Sequence, residues 1–270
     1  MKLCFSTLGC PKLSFRDILS IAKDLQYNGV EMRGLLHVIE APDIKEFQPD
    51  RLEDTKKRLA DMNLEIPILT SACELSVAEK WDETFAMAKR YVDMADALRA
   101  SYIRLLGDVA VGPTAPVDDQ VVIAHTRQIA DYALGKGAKV TLLLETNGAY
   151  GDSKRLKALL EAIDRENVGV VWDINHPYHF FQETVEETYG NIGKYVCHVH
   201  LKDSKKEADG TISYQMMGYG ELPIAAMIGI LKEHGYKGYY SLEWVKRWDM
   251  RLEEPGIAFA QYRNYMEQFA

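Results

Sequence analysis

Cysteine is scarce and unpatterned. The four residues, Cys4, Cys10, Cys73 and Cys197, form no Cys-x-x-Cys pair and no regular framework. That spacing excludes a disulfide scaffold and leads us to expect reduced thiols in a cytoplasmic protein. Long apolar runs are missing too. No stretch approaches the ~20 apolar residues a membrane helix needs, so no membrane partner is expected. The opening Met-Lys-Leu-Cys-Phe-Ser-Thr-Leu-Gly is apolar for too few residues to be a signal peptide and reads as a first strand. Basic residues are in the minority, with 32 Lys and Arg against 40 Asp and Glu and a net charge of −8. A nucleic-acid backbone is therefore not an expected partner. There is no low-complexity segment and no linker rich in Pro, Gly or Ser, so one domain over 1–270 is expected. No Gly-x-Gly-x-x-Gly follows the first strand, which weighs against a dinucleotide-binding sheet.

What is present is material for a large core. Hydrophobic residues make up 47% of the 270, a length ordinary for one (β/α)8 barrel. Short β-rich runs alternate with helical patterns along the chain. Strands are expected at Lys2–Leu8, Val30–Met32, Ile66–Thr70 and Tyr102–Leu106, then in four further runs between Val140 and Trp244. Helices are expected at about 15–25, Arg51–Met62, Trp81–Leu98 and from Asp118 or Asp119 to Leu134. Others follow at Ser153–Ile163, Val185–Ile192, Pro223–Glu233 and Glu254–Phe269. Leu35–Phe47 reads as loop. Eight strands alternating with helices lead us to expect a single (β/α)8 TIM barrel, although an open doubly wound sheet would give the same alternation.

The last four runs each end in a residue able to bind a metal. Val-Thr-Leu-Leu-Leu-Glu ends at Glu145, Val-Gly-Val-Val-Trp-Asp at Asp173, Tyr-Val-Cys-His-Val-His at His200, and Tyr-Tyr-Ser-Leu-Glu at Glu243. Parallel barrels place their chemistry where strands hand over to loops. Taken singly, each residue has a plainer reading: a strand-end carboxylate paired with Lys or Arg, a helix cap, a solvated glutamate. The recurrence at four successive strand ends favours one mononuclear metal site. Three carboxylates and one imidazole suit Mn²⁺ or Mg²⁺ first, with Co²⁺, Zn²⁺ or Fe²⁺ also compatible. His198 shares the inward face with His200 by the strand period of two, and sits one layer deeper, where a core histidine is expected. Lys202 follows on the same face. His176 lies past its strand end and reads as a substrate contact. Glu31 and Arg33 share a face of the second strand, and Arg104 could shape the pocket. Loop residues Tyr150 and Tyr178 are candidates for a substrate wall, whereas Trp172 and Trp244 turn toward the helices.

At these residues the chain resembles the xylose-isomerase-like barrel superfamily, in its branch of sugar isomerases and epimerases. The matching elements are Leu-Glu-x-Asn (Glu145, Asn147), Asp-x-x-His (Asp173, His176), His-x-His-Leu-Lys-Asp (His198 to Asp203), the Gly218-x-Gly220 turn, and Gly-Tyr-x-Gly-x-x-x-x-Glu (Gly235 to Glu243). Gly29-Val30-Glu31 matches as well, so the resemblance spans essentially the whole chain. It implies that Glu145, Asp173, His200 and Glu243 bind one divalent ion. It also implies that Glu145 and Glu243 act as an acid/base pair beside a carbonyl. His176, Lys202, Lys206, Asn147, Glu31 and Arg104 are the expected substrate-binding set. Ketose 3-epimerases of this kind carry Arg where this chain has Lys206, and Glu where it has Gly151. Those departures argue against a plain ketohexose 3-epimerase.

The expected function is a divalent-metal-dependent sugar isomerase or epimerase acting on a carbohydrate or cyclitol, and a homo-oligomer is compatible with it. The alternative is a metal-dependent lyase dehydrating a keto-inositol or keto-sugar. More remote is an apurinic-site endonuclease-like hydrolase. Such enzymes need histidines at the ends of strands three and four, where this chain has Leu69-Thr-Ser-Ala-Cys73 and Leu105-Leu-Gly-Asp108. An inactive accessory barrel is the other remote reading.

Overall fold

Local signals start and stop the elements. In a computed structural model describing residues 1–270, strand β1 is Lys2–Ser6 and helix α1 is Phe15–Asp24. Ser14 caps α1: its Oγ accepts from Asp17 N at 3.2 Å and donates to the Asp17 carboxylate at 2.7 Å. β2 is Gly29–Glu31 and α2 is Leu52–Met62, ended by Asn63 in the left-handed region. β3 (Ile68–Glu74), α3 (Trp81–Leu98) and β4 (Tyr102–Leu106) follow. α4 is Asp119–Gly135, capped by Asp118. β5 (Thr141–Glu145), α5 (Ser153–Ile163) and β6 (Val168–Asp173) come next. Then come α6 (Asn175–Phe181), α7 (Val185–Ile192) and β7 (Val196–Leu201). An antiparallel hairpin, β8 (Asp203–Lys206) and β9 (Ile212–Gln215), precedes α8 (Ile224–Glu233), β10 (Tyr239–Leu242) and α9 (Pro255–Glu267).

Eight strands form one parallel sheet in the order β2-β1-β10-β7-β6-β5-β4-β3, and a parallel bridge joins Gly29 to Glu65. Strand and helix alternate in the expected (β/α)8 barrel topology. Close contacts group the chain into two units, Ile68–His198 and Met1–Pro67 with Val199–Ala270.

In the Ile68–His198 unit, parallel register sets Arg104 beside Leu143 and Glu145 beside Val171. The strand period of two then places Leu143 under Glu145, Val171 under Asp173 and Tyr102 under Arg104. Ile68, Leu143 and Val171 form a solvent-free apolar layer, with Tyr102 packed on it. The polar strand ends thus stand on an apolar floor. In the other unit, Cys4 pairs with Ser241, Ser241 with His200, and Ser6 with Glu31.

Four details differ from expectation. β3 starts and ends later, at Ile68–Glu74, with a shift in its pairing between Thr70 and Glu74. The Leu35–Phe47 segment folds into two short 3₁₀ turns, Ala41–Asp43 and Lys45–Phe47. Helix α6 begins two residues after Asp173, and seven residues are too few to show helical periodicity in sequence. The β8–β9 hairpin carries Asp-Ser-Lys-Lys and Ile-Ser-Tyr-Gln, which lack the apolar alternation of a buried strand. No helix is long and apolar enough to cross a membrane.

Candidate active site

In the Ile68–His198 unit, Glu145 closes β5 and is buried. Its Oε2 accepts from Arg104 Nη1 at 2.6 Å, and both side chains are below 10% exposure. A buried carboxylate needs such a partner, since desolvating an isolated ion costs several kcal/mol. Thr146 ties the two strand ends together: its hydroxyl accepts from Asp173 N at 2.8 Å and donates to Asp173 O at 3.1 Å. Asp173 is fully buried, and its Oδ1 accepts from Asn175 N at 2.8 Å, at the start of α6. Ile174, not Asp173, is the N-cap residue of α6, so Asp173 meets the first-turn amide from one residue before the cap.

His176 follows on α6. Its Nδ1 lies 2.7 Å from Thr146 O, so Nδ1 carries the proton and Nε2 is the bare acceptor. That Nε2 is buried without a hydrogen-bond partner, and so is Asn147 Oδ1, whose amide Nδ2 donates to Ala110 O at 3.2 Å. Two buried acceptors without donors are what a polyhydroxylated ligand would satisfy. Tyr150 does not form a wall: it is 1% exposed, with its hydroxyl on Asp119 at 2.8 Å and its ring against Gly107. Tyr178 is half-buried on α6. Trp172 packs toward Tyr189 on α7, on the helix side as expected, and Trp244 donates to Glu253 O in the loop before α9.

In the other unit, His200 ends β7's inward face and is fully buried. Its Nε2 faces Glu31 Oε2 at 3.1 Å and its Nδ1 faces Glu243 Oε1 at 3.5 Å. Glu243 Oε2 is in close contact with Lys202 Nζ, also buried. Ser241 Oγ donates to Glu31 Oε2 at 2.7 Å. The Cys4 thiol is pushed well up by burial and then by the Glu31 charge, which favours its protonated form. Lys206 is exposed at the end of β8, where its backbone N–H donates to Glu221 Oε1 at 3.0 Å.

The donor set on this side fits a divalent ion. His200 lies between two carboxylates, its Nε2 on Glu31 Oε2 and its Nδ1 toward Glu243 Oε1. Two donors held about 2.1–2.2 Å from one ion stand roughly 3.0–3.5 Å apart. The observed 3.5 Å is compatible with that geometry.

Three contributors were assigned no role from the sequence. Ser241 and Thr146 are hydroxyls whose partners are set by register. Asp203 is the third: its Oδ2 accepts from Gly218 N and Gly220 N at 2.8 Å, and its Oδ1 from Ser204 N at 2.9 Å and Leu222 N at 3.3 Å. A Cβ on Gly220 would stand 1.9 Å from Asp203 Oδ1, which explains the Gly218-x-Gly220 turn. The position of Asp203 directly after Lys202 was the available signal.

The xylose isomerase-like TIM barrel family model matches residues 19–264, and the chain belongs to that family. It is 25% identical over 284 aligned positions to fructoselysine 3-epimerase of Shigella flexneri, covering 100% of this chain and 97% of that protein. Among solved structures it resembles the probable 3-DHS dehydratase involved in petrobactin synthesis from Bacillus anthracis. That match has a TM-score of 0.81 at 18% identity, covering 99% of each chain. A xylose isomerase-like TIM barrel protein from Mycobacterium smegmatis, in complex with magnesium, has a TM-score of 0.74 at 18% identity, covering 99% of this chain and 95% of that one.

Proposed function

We propose that the protein is a divalent-metal-dependent sugar epimerase or isomerase that moves a proton on a carbon next to a carbonyl. The observation that carries this reading is a pair of buried strand-end glutamates, each with one carboxylate oxygen occupied by a buried cation: Arg104 on Glu145, Lys202 on Glu243. Such pairing fixes the rotamer of each carboxylate beside its cation. Glu145, Asp173, His200 and Glu243 are the group proposed to hold the ion, Mn²⁺ or Mg²⁺ in preference to Co²⁺, Zn²⁺ or Fe²⁺. When bound, that ion supplies Lewis-acid stabilisation of the oxyanion that develops as the proton leaves. One glutamate removes the proton. For epimerisation the other returns a proton to the opposite face of the same carbon; for isomerisation a single base returns it to the neighbouring carbon. His176 Nε2 and Asn147 Oδ1 accept substrate hydroxyls.

Lys206 and Gly151 shape the substrate proposal. A Cβ at Gly151 would meet Phe181 at 2.8 Å and His176 Cβ at 3.6 Å, so a glutamate there has no room beside the α6 phenyl ring. A plain ketohexose 3-epimerase uses that carboxylate. A substituted keto-sugar is therefore proposed ahead of a free ketohexose. The fructoselysine 3-epimerase relative supports that order.

The test is solvent-deuterium exchange into keto-sugars, fructoselysine included, by NMR. Wild-type protein loaded with Mn²⁺ should exchange the proton beside the carbonyl. Glu145→Gln and Glu243→Gln should each lose about 10²-fold or more in rate. Near-wild-type exchange in either variant would remove that glutamate from catalysis. Metal analysis should find about one ion per chain, lost in Glu243→Ala. No uptake of Mn²⁺, Mg²⁺, Co²⁺ or Zn²⁺ would overturn the proposal.

A further inference from the structure

Glu31 stands in an arrangement that a substrate contact does not account for. It ends β2, is fully buried, and reaches past β1 to side chains on β10 and β7. Its Oε2 serves two groups there, the Ser241 hydroxyl at 2.7 Å and the His200 ring at 3.1 Å. Ser241 and His200 are register partners on adjacent strands, so the hydroxyl and the imidazole stand side by side under one carboxylate oxygen. Upstream, Gly29 lets β2 pack against the backbone of Glu65: a Cβ there would lie 2.7 Å from Glu65 O.

We infer that Glu31 is the positioning residue of His200, which it holds in the tautomer and ring orientation that aim Nδ1 toward Glu243, with Ser241 in turn fixing the Glu31 carboxylate. An imidazole that gives one N–H to a carboxylate presents its other nitrogen as a lone pair in a fixed direction, and becomes a stronger donor. His200 shows both halves of that arrangement, Nε2 on Glu31 and Nδ1 at 3.5 Å from Glu243 Oε1. Without Glu31 the ring could rotate or take the other tautomer, which turns an N–H toward the ion. The role assigned to Glu31 thus shifts from substrate contact to support of the metal ligand. This inference rests on the proposed metal site.

The probe is Co²⁺, followed by calorimetric titration and by its visible ligand-field bands, on wild type, Glu31→Gln, Ser241→Ala and the double variant. Circular dichroism and gel filtration establish that each variant is folded. Glu31→Gln keeps the side-chain shape and should weaken Co²⁺ binding about tenfold or more, with altered band positions. Ser241→Ala should weaken it less. The double variant should be no weaker than Glu31→Gln, because Ser241 acts through the carboxylate already removed. Wild-type affinity and bands in Glu31→Gln, or strictly additive losses in the double variant, overturn the inference and leave the metal site standing. Should Glu31→Gln not fold, unchanged affinity in Ser241→Ala overturns it alone. Failure of the wild type to take up Co²⁺ overturns the metal reading, and this inference with it.

Discussion

Arg104 and Lys202 neutralise the two site glutamates with different chemistry. The Arg104 guanidinium is planar and stays charged at any pH the fold survives; the Lys202 ammonium is a compact point charge on a flexible stem. Removing one partner of a buried pair strands the other as an uncompensated charge, at a cost of about 3–5 kcal/mol. Arg104→Met should therefore lower the free energy of unfolding by about 3 kcal/mol, read from urea melts in the absence of metal. The exposed Arg251–Asp249 pair is a control: both residues lie in one loop, and Arg251→Ala should leave the urea midpoint unchanged. Much of this scale was legible in the sequence. Glu145, Asp173 and Glu243 each have a plainer reading alone, and only their recurrence at successive strand ends marks them. The cation that each glutamate meets was not legible. Arg104 lies 41 residues from Glu145 and Lys202 lies 41 from Glu243, and only strand register selects those partners.

At the scale of elements, the β8–β9 hairpin is the feature that periodicity could not show. Its strands are short and polar and pair in one antiparallel ladder, and a single carboxylate holds the turn that follows it. Asp203 is 2% exposed and takes four backbone N–H groups, three of them on the return path from Gly218 to Leu222. The hairpin also bears on the site: Tyr214 on β9 lies with its ring centroid 6.0 Å from Lys202 Nζ. Asp203→Ala would leave those amides without their charged acceptor. It should destabilise the protein by about 2–4 kcal/mol. It should also accelerate amide exchange at Gly218, Gly220 and Leu222 well before exchange in β5 and β6. Unchanged exchange at the three amides would show that the turn is held by packing instead. Helix α6 shows the same limit of legibility from the other side. The Asp-x-x-His motif was plain, yet its geometry depends on His176 Nδ1 reaching Thr146 O, a contact across 30 residues.

For the whole molecule, strand–helix alternation was readable because each element announces itself locally, through caps, glycines and apolar runs. The layers inside the sheet were not, because they join residues as distant as Glu31 and His200, 169 apart. A consequence at this scale is a pH limit set by buried acids that are neutral in the native state. Burial raises the Cys10 thiol and the Tyr240 phenol to about 12. Burial also pushes Cys4, Tyr27 and Tyr262 well above their ordinary values, with smaller contributions from neighbouring charges. The unfolded chain releases these protons at roughly 8.5 for thiols and 10 for phenols. Between the unfolded and native values the native state binds more protons, so stability falls as pH rises. The stabilising contribution is fully present below about pH 8.5 and is lost toward pH 12, each titrating group contributing a slope of up to about 1.4 kcal/mol per pH unit. Acid conditions leave these groups unchanged. The expected result is one cooperative alkaline transition above roughly pH 10, in which phenolate absorbance of the buried tyrosines appears together with the loss of far-ultraviolet ellipticity. Phenolate forming residue by residue while ellipticity persists to pH 12 would show that these hydroxyls reach solvent in the folded state, and that their burial does not set the alkaline limit.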